Sequence, residues 1–457
     1  MIEVPESVPT APQPLAGGFD RRGFLQAAAT LGVGVGATAA LAACSKDPSP
    51  ATAAAAKLPY SAVTVLQPGQ GDRGGDHYLS SLPDQVLWGY VPTVHAAPVL
   101  QMRSGQTVTI DTVSHEGILE DQGRSPVEYF GGHGVNDKDV LDDVKTIAAQ
   151  YNRTVRDFAK DGPHVVTGPV FVEGAEPGDA LKIETLEAVP RVPYGVVSSR
   201  HGKGALALTA DKAAPKGITV AEVMPPASTD GRSGPDPRNW GDVSVFTPVK
   251  DGRGVMPVGA GAAVRFPLNP FMGMMGVAFV TDPGLTSPNA NSVPPTIGGG
   301  NIDIKLLGVG STFYLPVFAP GALFYVGDPH MAMGDGEVAL TAMEGSLRAT
   351  FRLTVCKQGS GDAPSVAFHY PFAETPKAWI PIGLSDPDGA LNGQVTDLDV
   401  AMRRAVINAL DYLEHDRGMD RGTAYAYLSA AADFSVSQVV DRTTGVHGQI
   451  YKEHFST

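Results

Sequence analysis

The densest chemistry in the chain lies in one short stretch. Gly327-Asp328-Pro329-His330 is followed at once by Gly334-Asp335-Gly336-Glu337. Carboxylate and imidazole groups together suit zinc or another divalent cation. Asp328 and His330 are two apart, as are Asp335 and Glu337, and side chains at i and i+2 of an extended backbone leave the same face. Each pair is therefore expected to point at one ion. The apolar runs upstream, Phe313-Tyr314-Leu315, Val317-Phe318 and Leu323-Phe324-Tyr325-Val326, predict buried strands that deliver these groups. A solvated acidic turn would have the same Gly-Asp composition. A second cluster weighs against that alternative: Val108-Thr109-Ile110-Asp111-Thr112-Val113-Ser114-His115 alternates like a strand and ends in a histidine, adding Asp111 and His115 to the set.

Asn301-Ile302-Asp303-Ile304-Lys305, then Gly310-Ser311-Thr312-Phe313-Tyr314-Leu315-Pro316-Val317-Phe318, then the two acidic motifs, carry a resemblance in both order and spacing. With them the chain resembles the acetamidase/formamidase family. A second block runs from His164-Val165-Val166-Thr167-Gly168-Pro169 to Gly178-Asp179, and Arg200-His201-Gly202-Lys203-Gly204 is a weaker third. The resemblance spans roughly residues 85 to 455. It implies a metal-dependent hydrolase of simple linear amides, built mainly from β structure. One departure is Met333, where relatives commonly carry glutamine before Gly-Asp-Gly-Glu; it leaves substrate choice open.

An amide is a poor electrophile with a poor leaving group. A divalent ion lowers the pKa of its water from about 15.7 to about 7 and polarises the carbonyl, and a carboxylate can carry the proton to nitrogen. From residue chemistry, Asp111, His115, Asp328 and His330 are assigned to the metal, zinc first and calcium as the alternative. His164 is held in reserve because it opens the second block. Glu337 is expected to be the general acid/base, oriented by Asp303 or Asp335. His133 and His201, in Gly-rich turns, and Met272, in the Met-rich segment from Asn269 to Ala278, are candidate substrate contacts, with packing as the alternative for each. No Gly-x-Ser-x-Gly elbow or His-Glu-x-x-His helix is present. Two other functions stay open: an exported lipoprotein whose metal is structural and which binds a ligand without turnover, and a hydrolase of larger or aryl amides.

The elements that must hold these residues follow from composition. With 457 residues, 43% of them hydrophobic, the chain can bury one large core or two moderate ones. Its 54 Gly and 38 Pro favour turns between short strands. Against 48 Asp plus Glu stand 34 Lys plus Arg with no basic stripe, so nucleic acid is not an expected partner. Asp20-Arg21-Arg22-Gly23-Phe24-Leu25 leads into an uncharged Ala/Gly-rich run closing on Leu41-Ala42-Ala43-Cys44, which resembles a twin-arginine export signal with a lipoprotein cleavage box. Residues 1–44 are thus expected to be a signal read by the twin-arginine machinery, with Cys44 the lipidation site; soluble cleavage at Ala40-Leu41-Ala42 is the alternative. The expected location is the periplasm or cell envelope, with membrane contact only through the lipid. Residues 45–58, mostly Ala, Pro, Ser and Thr, are expected to be a flexible tether. With Cys44 in the signal, Cys356 has no disulfide partner in the mature domain and is expected to be packing.

Residues 59–395 are expected to form a β-rich core, with long loops at 215–237 and 282–300 and a core strand from Leu347 to Val355. Residues 396–457 complete it. A capping box at Thr396 and Asp399 opens a helix through Leu398, Met402, Ala405, Ala409 and Leu413 to a stop near Gly418; a second helix covers Thr423 to Ala431, and Phe434, Val436 and Gln438 alternate as a strand. The expected class is α+β, β-dominated, with paired β-sandwich or jelly-roll-like layers and a small C-terminal helical element. A homo-oligomer contact on those helices is the remaining partner expected besides a small amide.

Overall fold

Short apolar runs cut by Gly and Pro do form strands, and among the described residues the computed structural model assembles them mainly into a nine-stranded and an eleven-stranded sheet. It describes residues 60–200, 204–206, 216–219, 242–279, 287–386 and 396–455. The expected export signal with Cys44, the expected tether, His201 and most of the expected 215–237 loop lie outside the described residues. The strands that frame the acidic motifs are β1 (Thr107–Asp111), β2 (Val165–Glu173), β3 (Ala180–Pro190), β4 (Phe271–Gly276), β5 (Phe324–Ala332), β6 (Met343–Glu344) and β7 (Leu347–Cys356). In the nine-stranded sheet β7 lies between β1 and β3, antiparallel to both. In the other sheet β4 runs along one edge of β5, while β2 takes the first half of the opposite edge and β6 the second.

The β-dominated class is as expected, and its layers meet through a shared core. Val108, Ile110, Ile183, Leu315, Phe324, Val326, Leu347 and Phe351 are all buried in one hydrophobic cluster. The rings of Phe324 on β5 and Phe351 on β7 meet edge-on across the two sheets at 5.7 Å. Burying a side chain of this size contributes roughly 1.5–3 kcal/mol, which fixes the face that β5 turns inward. Cys356 ends β7 buried and unpaired in a disulfide, its thiol pushed up to about 11 by burial, which makes it inert packing.

Two short helices, α1 (Pro126–Gly131) and α2 (Asp142–Gln150), pack on this core through Phe130, Val144 and Ile147. At the C-terminus α3 (Leu398–His415) and α4 (Arg421–Ala431) form as the periodicity predicts. The cap of α3 is Asp397, whose carboxylate accepts from the amides of Asp399 and Val400, and not the Thr396 capping box. Ala401 and Ala405 seat α3 against the strands Ala378–Leu384 and Gly445–Tyr451. Asp433–Gln438 pairs with the latter as a hairpin at the sheet edge. Residues 56–457 thus make one compact unit that includes the C-terminal elements. Among the described residues no helix is long and apolar enough to cross a membrane.

Candidate metal and active centre

β5 carries Asp328 and His330 into the interior with both side chains on one face, His330 Nε2 lying 3.0 Å from Asp328 Oδ2. Across the ladder β6 sets Glu344 directly opposite His330, and Glu344 Oε1 comes within 3.1 Å of the same nitrogen. On the other edge β4 sets Phe271 opposite His330, the two rings meeting edge-on at 5.0 Å. Gly273, next on that face of β4, leaves a cradle: a Cβ there would fall 2.5 Å from both Asp303 Oδ1 and His330 Cε1. His115 lies beyond the end of β1, and His164 immediately precedes β2. Asp303 follows the strand Gly299–Asn301, held by its amide on the Gly273 carbonyl at 3.1 Å. Glu337 sits on the loop after β5. The Gly336 amide donates to the Ser437 carbonyl and the Val439 amide to that of Gly336, both at 3.0 Å, which straps this loop to the C-terminal hairpin and brings Asp441 beside Asp303 and Glu337.

The cluster is tight. His115 Nδ1 and His164 Nε2 lie 3.7 and 3.8 Å from Asp328 Oδ1, with the two rings edge-on at 5.6 Å. Ser292 Oγ, 2.9 Å from His164 Nδ1, orients that ring so that Nε2 faces inward. His330 Nε2 is 3.8 Å from Glu337 Oε1, and its Nδ1 is 4.0 Å from Asp303 Oδ1. Asp303, Asp328 and Glu337 all hold positive φ, at 50°, 51° and 43°, a region that non-glycine residues rarely occupy and that concentrates at functional sites.

Electrostatics follow from burial and crowding. Burial pushes the Asp303 and Glu337 carboxyls well above the carboxylate range, and neighbouring acids, Asp441 and Asp328 for Asp303 and Asp303 for Glu337, push them further. Burial works against charge on His330, yet Glu344 and Asp328 raise it well above its ordinary value. Burial dominates at His164, which falls to about 4 and stays a neutral imidazole. Asp328 goes the other way: burial opposes ionisation, but His330, His164 and His115 hold it below the usual range. Both ring nitrogens of His115, both oxygens of Asp303, Asp328 Oδ1 and Glu344 Oε2 are buried without a hydrogen-bond partner. Among the described residues no Lys or Arg pairs with Asp303, Asp328, Glu337 or Glu344. Buried carboxylates left uncompensated are costly, and a cation is the group that would compensate them. Donor atoms of His115, Asp328 and Glu344 lie within 4.8 Å of one another, as do those of Asp303, Asp328 and His330, so the cluster can hold a metal.

Comparison with known proteins decides the kinship. A model of the acetamidase/formamidase family matches residues 133–282 and 282–448. The chain belongs to this family. Acetamidase of Mycolicibacterium smegmatis is 27% identical over 299 residues, covering 57% of this chain and 71% of that protein. Formamidase of Methylophilus methylotrophus is 26% identical over 294 residues, with coverage of 57% and 69%. Solved acetamidases share the fold: that of Yersinia enterocolitica at a TM-score of 0.59 and 21% identity, over 83% of this chain and 93% of that one, and that of Bacillus halodurans at 0.56 and 23%, over 83% and 98%. Membership supports a hydrolase that acts on amides.

Within the acetamidase/formamidase fold, His115, His164, Asp303, Asp328, His330 and Glu337 converge. Asp111 does not join them. β1 and β7 pair it with Arg348, whose Nε and Nη2 donate to it at 2.6 and 3.0 Å; the Tyr78 hydroxyl adds a bond of 2.6 Å, and Arg191 lies 3.5 Å away. Asp335 turns away to Lys305, 2.8 Å distant, because Gly336 at φ 95° breaks the extended backbone that the i, i+2 rule requires. Met272 projects from the opposite face of β4 into the core, its sulfur accepting from Thr112 Oγ1 at 3.8 Å. His133 is exposed and stacks flat on Phe246 at 4.7 Å. Three acids were missed in the sequence: Glu344, Asp441 and Glu116, the last 3.6 Å from His115 Nε2. The adjacent His115-Glu116 pair was a visible signal for one; the other two needed the strand pairing.

Proposed function

We propose that this protein is a metal-dependent amidohydrolase that cleaves the C–N bond of simple linear amides, of the size of formamide and acetamide, to a carboxylate and ammonia. The observation that carries this is the set of fully buried, unpartnered nitrogen and oxygen donors around Gly273 in a chain of the acetamidase/formamidase family. His115, His164, Asp328, His330 and Glu344 would hold the ion, and their mixed imidazole and carboxylate donors favour zinc over calcium. When bound, such an ion supplies a Lewis acid and a nucleophile at neutral pH.

The remaining chemistry belongs to side chains. Water adds to the carbonyl carbon, the C–N bond breaks, and the proton released by water must reach nitrogen. Glu337, with its carboxyl pushed up by burial and by Asp303, is suited to take and return that proton near neutrality. Asp303 orients it. The names of the relatives, acetamidase and formamidase, support small linear substrates. Metal analysis of purified protein joined to an ammonia-release assay tests this; full activity in demetallated protein defeats it.

The N-terminus belongs to the same proposal. Arg21-Arg22 before an uncharged Ala/Gly-rich run supports export by the twin-arginine machinery to the periplasm or cell envelope, with Cys44 as a lipid anchor. A homo-oligomer joined through α3 and α4 is part of this reading, supported by the exposed Met402, Ile407 and Tyr425.

A further inference from the structure

A cavity of about 20 Å³ opens against the acidic edge of the cluster. Glu116 and Glu344 line it, with Ser114 and Ser346, and the remaining lining is mainly apolar, including Phe130, Leu141, Val144 and Tyr194. Both glutamates also face the buried histidines, Glu344 at 3.1 Å from His330 Nε2 and Glu116 at 3.6 Å from His115 Nε2. The chamber therefore begins where the reacting centre ends. A site that is mainly apolar with a few polar groups is the usual form of a small-ligand pocket. Water has few partners along the apolar lining, since a buried water needs two to four.

We propose that this chamber is the acyl-side subsite: it takes the alkyl substituent on the carbonyl carbon of a short aliphatic amide while the carboxamide faces His330 and Glu344. The inference rests on the amide-hydrolase reading above and adds which residues set the length of the substrate. A water molecule needs roughly 10–15 Å³ on the same measure, so the chamber admits about one or two non-hydrogen atoms. Hydrogen and methyl substituents fit; a propyl chain or an aryl ring does not.

The walls cannot retreat. The Phe130 ring leans on Tyr194 at 4.9 Å and meets Tyr129 edge-on at 5.2 Å. Behind it Gly117, at φ 91°, packs so close that a Cβ would lie 2.6 Å from Phe130 Cε2. The floor is bare backbone: a Cβ on Gly195 would fall 2.7 Å from the Glu344 carbonyl oxygen, and one on Gly345 would fall 2.5 Å from Met331 Cε. Glu116 is pinned in turn by the Gln122 side-chain amide. A rigid apolar wall discriminates one methylene by about 10- to 200-fold.

The test compares kcat/KM for formamide, acetamide, propionamide and butyramide in wild type, Val144→Ala, Phe130→Leu and Val144→Leu, with zinc content and thermal unfolding measured on each. Wild type should fall by about tenfold or more for each methylene beyond acetamide. Val144→Ala and Phe130→Leu should raise the butyramide-to-acetamide ratio by about tenfold with zinc content unchanged, and Val144→Leu should lower the acetamide-to-formamide ratio. If Phe130→Leu does not fold, the opposed Val144 variants still decide. Unchanged ratios in folded, zinc-loaded variants of an active enzyme overturn the subsite. Release of ammonia from no amide by zinc-loaded wild type overturns the amide reading itself, and the subsite with it.

Discussion

At the scale of single residues, the proposed ligands and the proposed proton carrier should respond differently. His330→Ala removes a donor at the centre of the cluster and should lower both metal content and stability, because metal binding to the native state adds to folding free energy. Glu337→Gln is nearly isosteric and should keep the metal while losing roughly two to four powers of ten in rate. Elemental analysis and ammonia release on the two purified variants check this, and the reverse pattern would exchange their roles. Asp111 offers the contrasting case. Asp111→Asn should destabilise the fold by about 3 kcal/mol in denaturant unfolding, because it leaves Arg348 buried without its carboxylate, while Arg191 keeps Asp143 at 2.7 Å. Metal bound per folded molecule should not change. The two outcomes trace back to what sequence makes visible. Asp328 and His330 were legible because they stand two apart on one strand, although Asp328 itself leaves the extended region at φ 51°. Asp335 and Asp111 misled because a loop at Gly336 and a cross-strand arginine lie outside any local pattern.

At the scale of elements, strands and helices were readable from periodicity, but their partners were not. Alternation from Leu347 to Val355 predicted a strand; nothing in it predicted that Arg348 would face Asp111 or that Met343–Glu344 would lie against His330. The helix α3 forms where its spacing predicts and buries Ala405, Ala409 and Leu413, but Leu398 and Met402 of the same stripe are exposed, and its cap moved by one residue to Asp397, whose carboxylate reaches two amides. The C-terminal hairpin is more than scaffold, since its turn brings Asp441 to the cluster. His447 on that hairpin is buried, bonded to Ser437 Oγ at 2.9 Å and brought down to about 4, chiefly by burial. Its neutral form is the folded one, so its contribution is complete above an ordinary value of 6.5 and is lost as pH falls toward about 4. Thermal unfolding from pH 7 to pH 4 should therefore show wild type losing about 3 kcal/mol more than His447→Gln. Parallel curves for the two proteins would contradict it.

At the scale of the whole molecule, the β-dominated layered class and the family were both legible, because composition sets the first and the ordered motifs from Asn301 to Glu337 carry the second. The sheet order was not, since strands far apart in sequence lie side by side, as β1 and β7 do. The proposed export would be a property of the precursor. Replacing Arg21 and Arg22 together with lysine should leave it in the cytoplasm on fractionation, and unchanged delivery across the membrane would refute the twin-arginine reading. If this chain hydrolyses small amides with a bound divalent ion, ammonia release from formamide and acetamide by chelator-stripped protein should follow the zinc added back. The stripped protein should have negligible activity, and recovery should saturate as zinc fills the site. Full activity in protein verified free of metal would contradict metal dependence.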